Sequence, residues 1–340
     1  MKTTLKNMLI ILSAIMLAVV LLFVWEMYIP KSFAGAETVR YTARSGMGAK
    51  EIATDLKERG VIKSSLFFNA YAFITGSHGK LQAGLYDISP SMSVAGIINT
   101  LVSGNVARHK ITVIEGWDLR DIADYLEEKD VYYNEEFAGA LEMDFSGKFS
   151  FLTGKPEKLG LEGYIFPDTY YIPAGSSAED FLNVALQNFD RKLTPAMREQ
   201  ITKDKRSIFQ IVTMASILEK EVNSLEDKKI VSGILWKRLS VSMPLQVDAT
   251  INYITNKNDP GVTLADTKID SPYNTYKYYG LPLGPISNPG LDSLMAAVYP
   301  QKSDYWYYLS ELETGKTIFS KTFQEHQSSI KKYFKSVGLK

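Results

Sequence analysis

The longest apolar run of the chain lies at its start, Met8 to Trp25, without a single charge and preceded by Lys2 and Lys6. Eighteen helical residues reach about 27 Å, close to the hydrocarbon thickness of a bilayer, so the pattern predicts a membrane-spanning helix. The alternative is a cleaved signal peptide, for which Ala34-Gly35-Ala36 resembles a cleavage site. A signal core runs only about 7–15 residues, however, and here Trp25 and Tyr28 follow as interfacial aromatics. An uncleaved anchor is therefore expected. Two lysines precede it, and Glu26 and Lys31 follow closely. That bias places the N-terminus in the cytoplasm and the chain after about residue 30 outside, a single-pass cell-membrane protein.

Beyond the anchor the pattern repeats. "YTARSGMGAKEIATDLKERGVI" from Tyr41 recurs, offset by 70 residues, as "ITVIEGWDLRDIADYLEEKDVY" from Ile111, and a fainter copy starts at Leu85. Each copy is a short alternating strand, a Gly or Pro/Ser turn and a helix with apolar residues at i, i+1 and i+4. This strand–turn–helix pattern resembles the LysM domain, a module that binds the N-acetylhexosamine backbone of peptidoglycan and chitin. A purely structural small α+β domain suits the same pattern.

The second half is mainly helical. Helices are predicted from Ala178 to Arg191, from Thr194-Pro195 onward, through "SIFQIVTMASILEKEV", from Glu226 to Leu239, and over "LDSLMAAVYP". "LEGYIFPDTYYIPAG" is aromatic and turn-rich, its prolines blocking regular helix. The stretch from Pro244 to the last of these helices is predicted as loop, and "YWYYLSELETGKTIFS" as a hairpin turning at Glu313-Thr314-Gly315-Lys316. The fold class expected is α+β.

Composition narrows the chemistry. The chain has 38 basic and 38 acidic residues and no formal net charge, which argues against nucleic acid as a partner. It has no cysteine, so disulfides, thiolate sites and a cysteine nucleophile are excluded. His78, His109 and His326 stand apart outside any ligand spacing, and no metal or other cofactor is expected. There is no phosphate-binding glycine loop and no G-x-S-x-G elbow.

What remains is Glu219-Lys220-Glu221, charged residues closing an apolar helix. At 100° per residue Glu219 falls within about 40° of Ala215, Val212 and Ile208, whereas Glu221 shares its side with Gln210. A carboxyl in an apolar wall holds a proton more readily, as a general acid requires. An ordinary ion pair with Lys220 or Lys228 is the competing expectation. Downstream, Gln246, Asp248, Thr250, Tyr253, Tyr273, Asn274, Thr275 and Tyr276 suit either a sugar groove of aromatic faces and amides or a plain loop-rich lid.

In order along the chain, "EGYIFPDTY", "MASILEKEV", "LQVDAT", "SPYNTY" and "GLPLGPISNPG" resemble the endolytic murein transglycosylase, or YceG-like, family. One departure is Leu283, where the family often has a second proline; the change is expected to be tolerated. The resemblance implies a membrane-anchored lyase that cuts nascent peptidoglycan between N-acetylmuramic acid and N-acetylglucosamine, leaving a 1,6-anhydromuramic end and terminating strand elongation. It implies Glu219 as the catalytic acid and Gln246, Asp248, Thr250, Asn274 and Tyr276 as sugar-positioning residues, with Glu162, Asp168 and Tyr170 on the opposite wall. It implies peptidoglycan glycan strands as substrate and peptidoglycan synthases as possible partners. The expected layout is an anchor at 1–35, a LysM-like region at 36–133 and a catalytic domain at 134–340. A hydrolase using Asp248 as second carboxylate, or a non-catalytic glycan-binding scaffold, are the alternatives.

Overall fold

The structure, a computed structural model, describes residues 2–32, 37–44, 46–104, 108–257, 262–311 and 315–333. Ala34-Gly35-Ala36 and Glu313-Thr314 of the expected turn lie outside them. Two compact units are formed: Met1–Lys110 with Tyr171–Ser176, and Ile111–Tyr170 with Ser177–Lys340.

The first unit contains α1 (Lys2–Tyr28), β1 (Val39–Ala43), α2 (Ala49–Glu58), α3 (Ser65–Ile74), β2 (Gly84–Ile88) and α4 (Val94–Ser103). From Lys6 to Tyr28, α1 is long and apolar enough to cross a membrane. β1 and β2 pair antiparallel, Val39 opposite Ile88 and Ala43 opposite Gly84. Alternation points Tyr41, Ala43, Tyr86 and Ile88 inward, onto Ile52 and Leu56 of α2, Phe68 and Ala72 of α3, and Ile97, Ile98 and Leu101 of α4. Met27 belongs to the same core at 0% exposure, so the last turn of α1 is part of the domain's packing. Both strand–turn–helix copies expected here form these elements, and α3 is an additional helix between them.

The chain passes between the units along β3 (Arg108–Thr112) and β4 (Thr169–Pro173), which form a two-stranded sheet. The second unit continues with α5 (Leu119–Glu128), α6 (Asn134–Leu141), α7 (Ala178–Lys192), α8 (Pro195–Lys203), α9 (Ile208–Glu221) and α10 (Leu225–Ser240). It ends with α11 (Asp248–Thr255), α12 (Leu291–Val298), a β5 (Tyr307–Ser310) and β6 (Thr317–Ser320) hairpin, and α13 (Phe323–Tyr333). The third strand–turn–helix copy, β3 with α5, is therefore divided from the first two: its helix lies in the second unit.

α9 is the centre of this unit. Ser207 caps it by accepting from Gln210 N–H, and Gln210 returns the bond in a capping box. Every residue from Ile211 to Leu218 is buried, so no side of the helix faces water. α8, α10, α11 and α12 pack around it. Gly163 sits against it so closely that an added Cβ would lie 2.8 Å from Val212 Cγ1 and 2.6 Å from Pro285 Cβ, at φ +87°. Only glycine fits there without strain, and the contact fixes the neighbouring Glu162 relative to α9. The region after Pro244 is less irregular than expected, because Asp248–Thr255 is helical.

Candidate active site

Four carboxylates lie around α9: Glu219, Glu115, Glu221 and Glu162. The side chain of Glu219 is 8% exposed and pairs at 3.0 Å with Lys228 Nζ, itself 5% exposed, from α10. The other oxygen accepts Gly290 N–H at 2.8 Å, at the start of α12, where the helix dipole favours negative charge. The ion pair with Lys228, one of the two sequence expectations for Glu219, is formed, and Val212 and Ala215 on the same side of the helix are fully buried. Lys220 donates to Gly116 O at 3.1 Å, holding the 115–118 turn against α9.

That turn brings up a carboxylate missed in the sequence. Glu115 is exposed to solvent and reaches Gly290, where an added Cβ would lie 2.0 Å from its Oε1. Glu115 and Glu219 thus border the same glycine. Partial burial, then the charge of Glu219, push Glu115 above the usual carboxylate range, against the pull of Lys228.

Glu221 was expected on the polar side of the helix, but it is enclosed. Its carboxylate accepts Tyr308 OH at 2.9 Å, and Ser310 Oγ bonds its carbonyl at 3.1 Å. Burial pushes it up to about 7, opposed by the bonds from Tyr308 and Ala249 N–H. The helical wheel failed here because Met214 and Ile217, on the same side, are buried too, and β5 covers the helix end. The native state therefore favours protonated Glu221. That stabilisation is complete below about pH 4.5 and is lost as pH rises through about 7. Glu221→Gln should consequently gain stability relative to wild type between pH 5 and pH 8, by on the order of 2 kcal/mol, in melting curves recorded at both values.

The fourth carboxylate, Glu162, lines a cavity of about 440 Å³ with Arg120, Lys155, Phe209, Tyr253 and Tyr273 among its walls. It accepts Leu119 N–H at 3.1 Å and Asn288 Nδ2 at 3.2 Å. Burial raises it to about 8, and the Leu119 bond and Arg120 moderate the rise. Arg120 stacks over the Tyr253 ring at 4.8 Å and also lines a second cavity of about 200 Å³, with Lys220, Asp118 and Asn252. Glu219 lines neither cavity.

The segment 286–290 joins these parts. Ile286 N–H and Ser287 Oγ bond Ser216 of α9, Asn288 reaches Glu162, and Gly290 reaches Glu219. One stretch thus places two acidic side chains at once.

The remaining expected residues separate. Gln246 is exposed, in a left-handed turn at φ 53°, and Asp248 accepts a hydrogen bond from Tyr276 OH. Thr250 and Asn274 are 0% exposed and spend their bonds internally. Thr250 Oγ1 bonds Val247 O, while Asn274 Nδ2 bonds Thr267 O and Ile269 O. They shape the loops from behind instead of facing a sugar. Asp168 accepts from Asn188 at 3.0 Å, and buried Tyr170 donates to Phe166 O; neither lines the two cavities, whereas Glu162 lines the first. Leu283 is 44% exposed. Among the described residues no cluster of His, Cys, Asp and Glu has the arrangement of a metal site.

This chain resembles known proteins over most of its length. A family model described as the YceG-like family matches residues 41–332. The chain is 35% identical to the endolytic murein transglycosylase of Bacillus subtilis (strain 168), over 89% of this chain and 87% of that protein. It is 28% identical to the endolytic murein transglycosylase of Streptococcus pneumoniae (strain D39), covering 86% of this chain and 57% of the longer relative. Among solved structures, a YceG-like protein of Listeria monocytogenes superposes with a TM-score of 0.60 at 33% identity, over 87% of this chain and 100% of that one.

Proposed function

Since the chain belongs to the YceG-like family, we propose that it is a lytic transglycosylase that cleaves peptidoglycan glycan strands internally, anchored in the cell membrane by α1. The charge bias around α1 supports a cytoplasmic N-terminus with both folded units outside. The observation that carries the reaction is the placement of Glu219. It is a nearly buried carboxylate, held at both oxygens, that shares Gly290 with a solvent-facing second carboxylate.

In this mechanism Glu219 gives a proton to the glycosidic oxygen as the bond to muramic acid C1 breaks. The C6 hydroxyl of the same sugar closes on C1, and its proton passes to the Glu219 carboxylate. The ring gains a 1,6-anhydro bridge and no water is consumed. Glu115, which borders Gly290 together with Glu219, stands where it can orient the reacting sugar. Arg120, Tyr253 and Glu162 hold neighbouring sugars, with Gln246, Asp248 and Tyr276 further along the strand. The first unit, with its strand–turn–helix pairs, serves as a LysM-like glycan-holding region.

Mass spectrometry of glycans digested by the protein in detergent tests this reading. Anhydromuramic ends are expected, and predominantly reducing ends would instead make water the nucleophile. A scaffold would release neither. The role of Glu115 is tested by Gly290→Ala. The added Cβ meets only the end of a flexible side chain and the backbone is at φ −73°, so the melting temperature should barely change. Displacing Glu115 should still slow cleavage about ten-fold or more.

A further inference from the structure

α3 carries an apolar stripe that the domain does not cover. Phe68 and Ala72 face the core, but Leu66, Phe73 and Ile74 are 73%, 73% and 70% exposed. With Ala70 they occupy positions i, i+4, i+7 and i+8, which share one side of a helix. Three large apolar side chains aligned on a short helix, in water, mark a surface made for something else.

Their position identifies the occupant. The ring of Phe67, on α3, lies 6.0 Å from that of Phe23, and Tyr71 lies 6.5 Å from Tyr28. Phe23 is inside the uncharged run of α1, which ends at Trp25, and Tyr28 is the last residue of that helix. α3 is therefore level with the place where α1 leaves the hydrocarbon. Buried Met27 fixes α1 to the core of the same unit, so this level is set by packing. Charge agrees: from Arg59 to Tyr86 the sequence contains Arg59, Lys63, His78 and Lys80 and no acidic residue. α2, by contrast, carries Glu51, Asp55 and Glu58. An apolar stripe flanked by cations suits an anionic lipid surface.

We propose that α3 lies in the headgroup layer of the bilayer crossed by α1, inserting Leu66, Phe73 and Ile74 among the lipids while Lys63 and Lys80 meet phosphates. This rests on the reading of α1 as a membrane anchor. It makes the first unit a membrane-seated base, held by two contacts instead of by a single tether.

The chain has no cysteine, so single cysteines report one position each. Leu66→Cys, Phe73→Cys and Ile74→Cys, labelled with an environment-sensitive fluorophore, would be compared with Val20→Cys on α1 and Thr54→Cys on α2. The full chain is placed in phosphatidylglycerol–phosphatidylethanolamine vesicles. Lipid-borne nitroxide should quench the three α3 positions at least about three-fold more than Thr54→Cys, with a blue-shifted emission. Quenching of the α3 positions by aqueous iodide as strong as at Thr54→Cys would overturn the proposal, as would shielding from both quenchers, which means that protein covers the stripe. The Val20→Cys probe separates the two readings: if it too is unquenched by lipid, the anchor itself is refuted.

Discussion

Glu219→Gln should lower glycan cleavage by about 10²–10⁴-fold, the usual contribution of a general acid–base group. The amide is nearly isosteric but carries no transferable proton. Its carbonyl can still accept one of the two bonds that the carboxylate takes from Lys228 and Gly290. The substitution also leaves a 5% exposed ammonium without its counter-charge, so some loss of stability accompanies the loss of activity. Activity must therefore be measured well below the melting temperature, with circular dichroism confirming the fold. Wild-type cleavage rates in a folded Glu219→Gln protein would remove Glu219 from the mechanism.

The second large effect concerns Lys228. Lys228→Met should destabilise the protein by about 3–5 kcal/mol, because the carboxylate of Glu219 is stranded in a site that excludes water. Adding Glu219→Gln to Lys228→Met should restore most of that loss, since the buried charge is then gone. The double-mutant cycle measured by denaturant unfolding in detergent gives the coupling directly. If the two substitutions were additive, the pair would contribute nothing specific. The cycle also distinguishes two kinds of inactive protein: Lys228→Met fails chiefly through stability, and Glu219→Gln chiefly through chemistry.

Several elements of this fold were legible from spacing alone. α7, α9, α10 and α12 follow apolar periodicity and end signals close to where they form, and α9 and α10 begin at serine caps. α11 was not anticipated, because eight residues containing Thr250, Ile251 and Ile254 look as extended as they look helical. α13 was missed because Phe323 and Ile330 are almost its only large apolar residues. At the site, Glu219 stood out as a carboxylate in an apolar stripe, and Lys228 was already among its possible partners. Glu115 and Gly290 lie in stretches already quoted, but their meeting with Glu219 was not legible, since they stand 104 and 71 residues from it and nothing local hints at the encounter. Glu221 was misplaced for the same reason: Tyr308, 87 residues later, decides its surroundings.

The segment 286–290 also governs when the site can exist. Asn288 bonds Trp117 across 171 residues and Glu162 across 126, and Gly290 completes Glu219 from 71 residues downstream. Contacts so distant along the chain are the slowest to form and pay their loop-closure entropy before any return. The first unit, apart from Tyr171–Ser176, is complete in sequence by Lys110. A growing chain thus completes α1 and most of the first unit early, whereas Glu219 lacks its Gly290 hydrogen-bond donor until residue 290 arrives. The hydrogen bonding of Glu219 is therefore completed late in synthesis, well after the helices of the first unit have emerged.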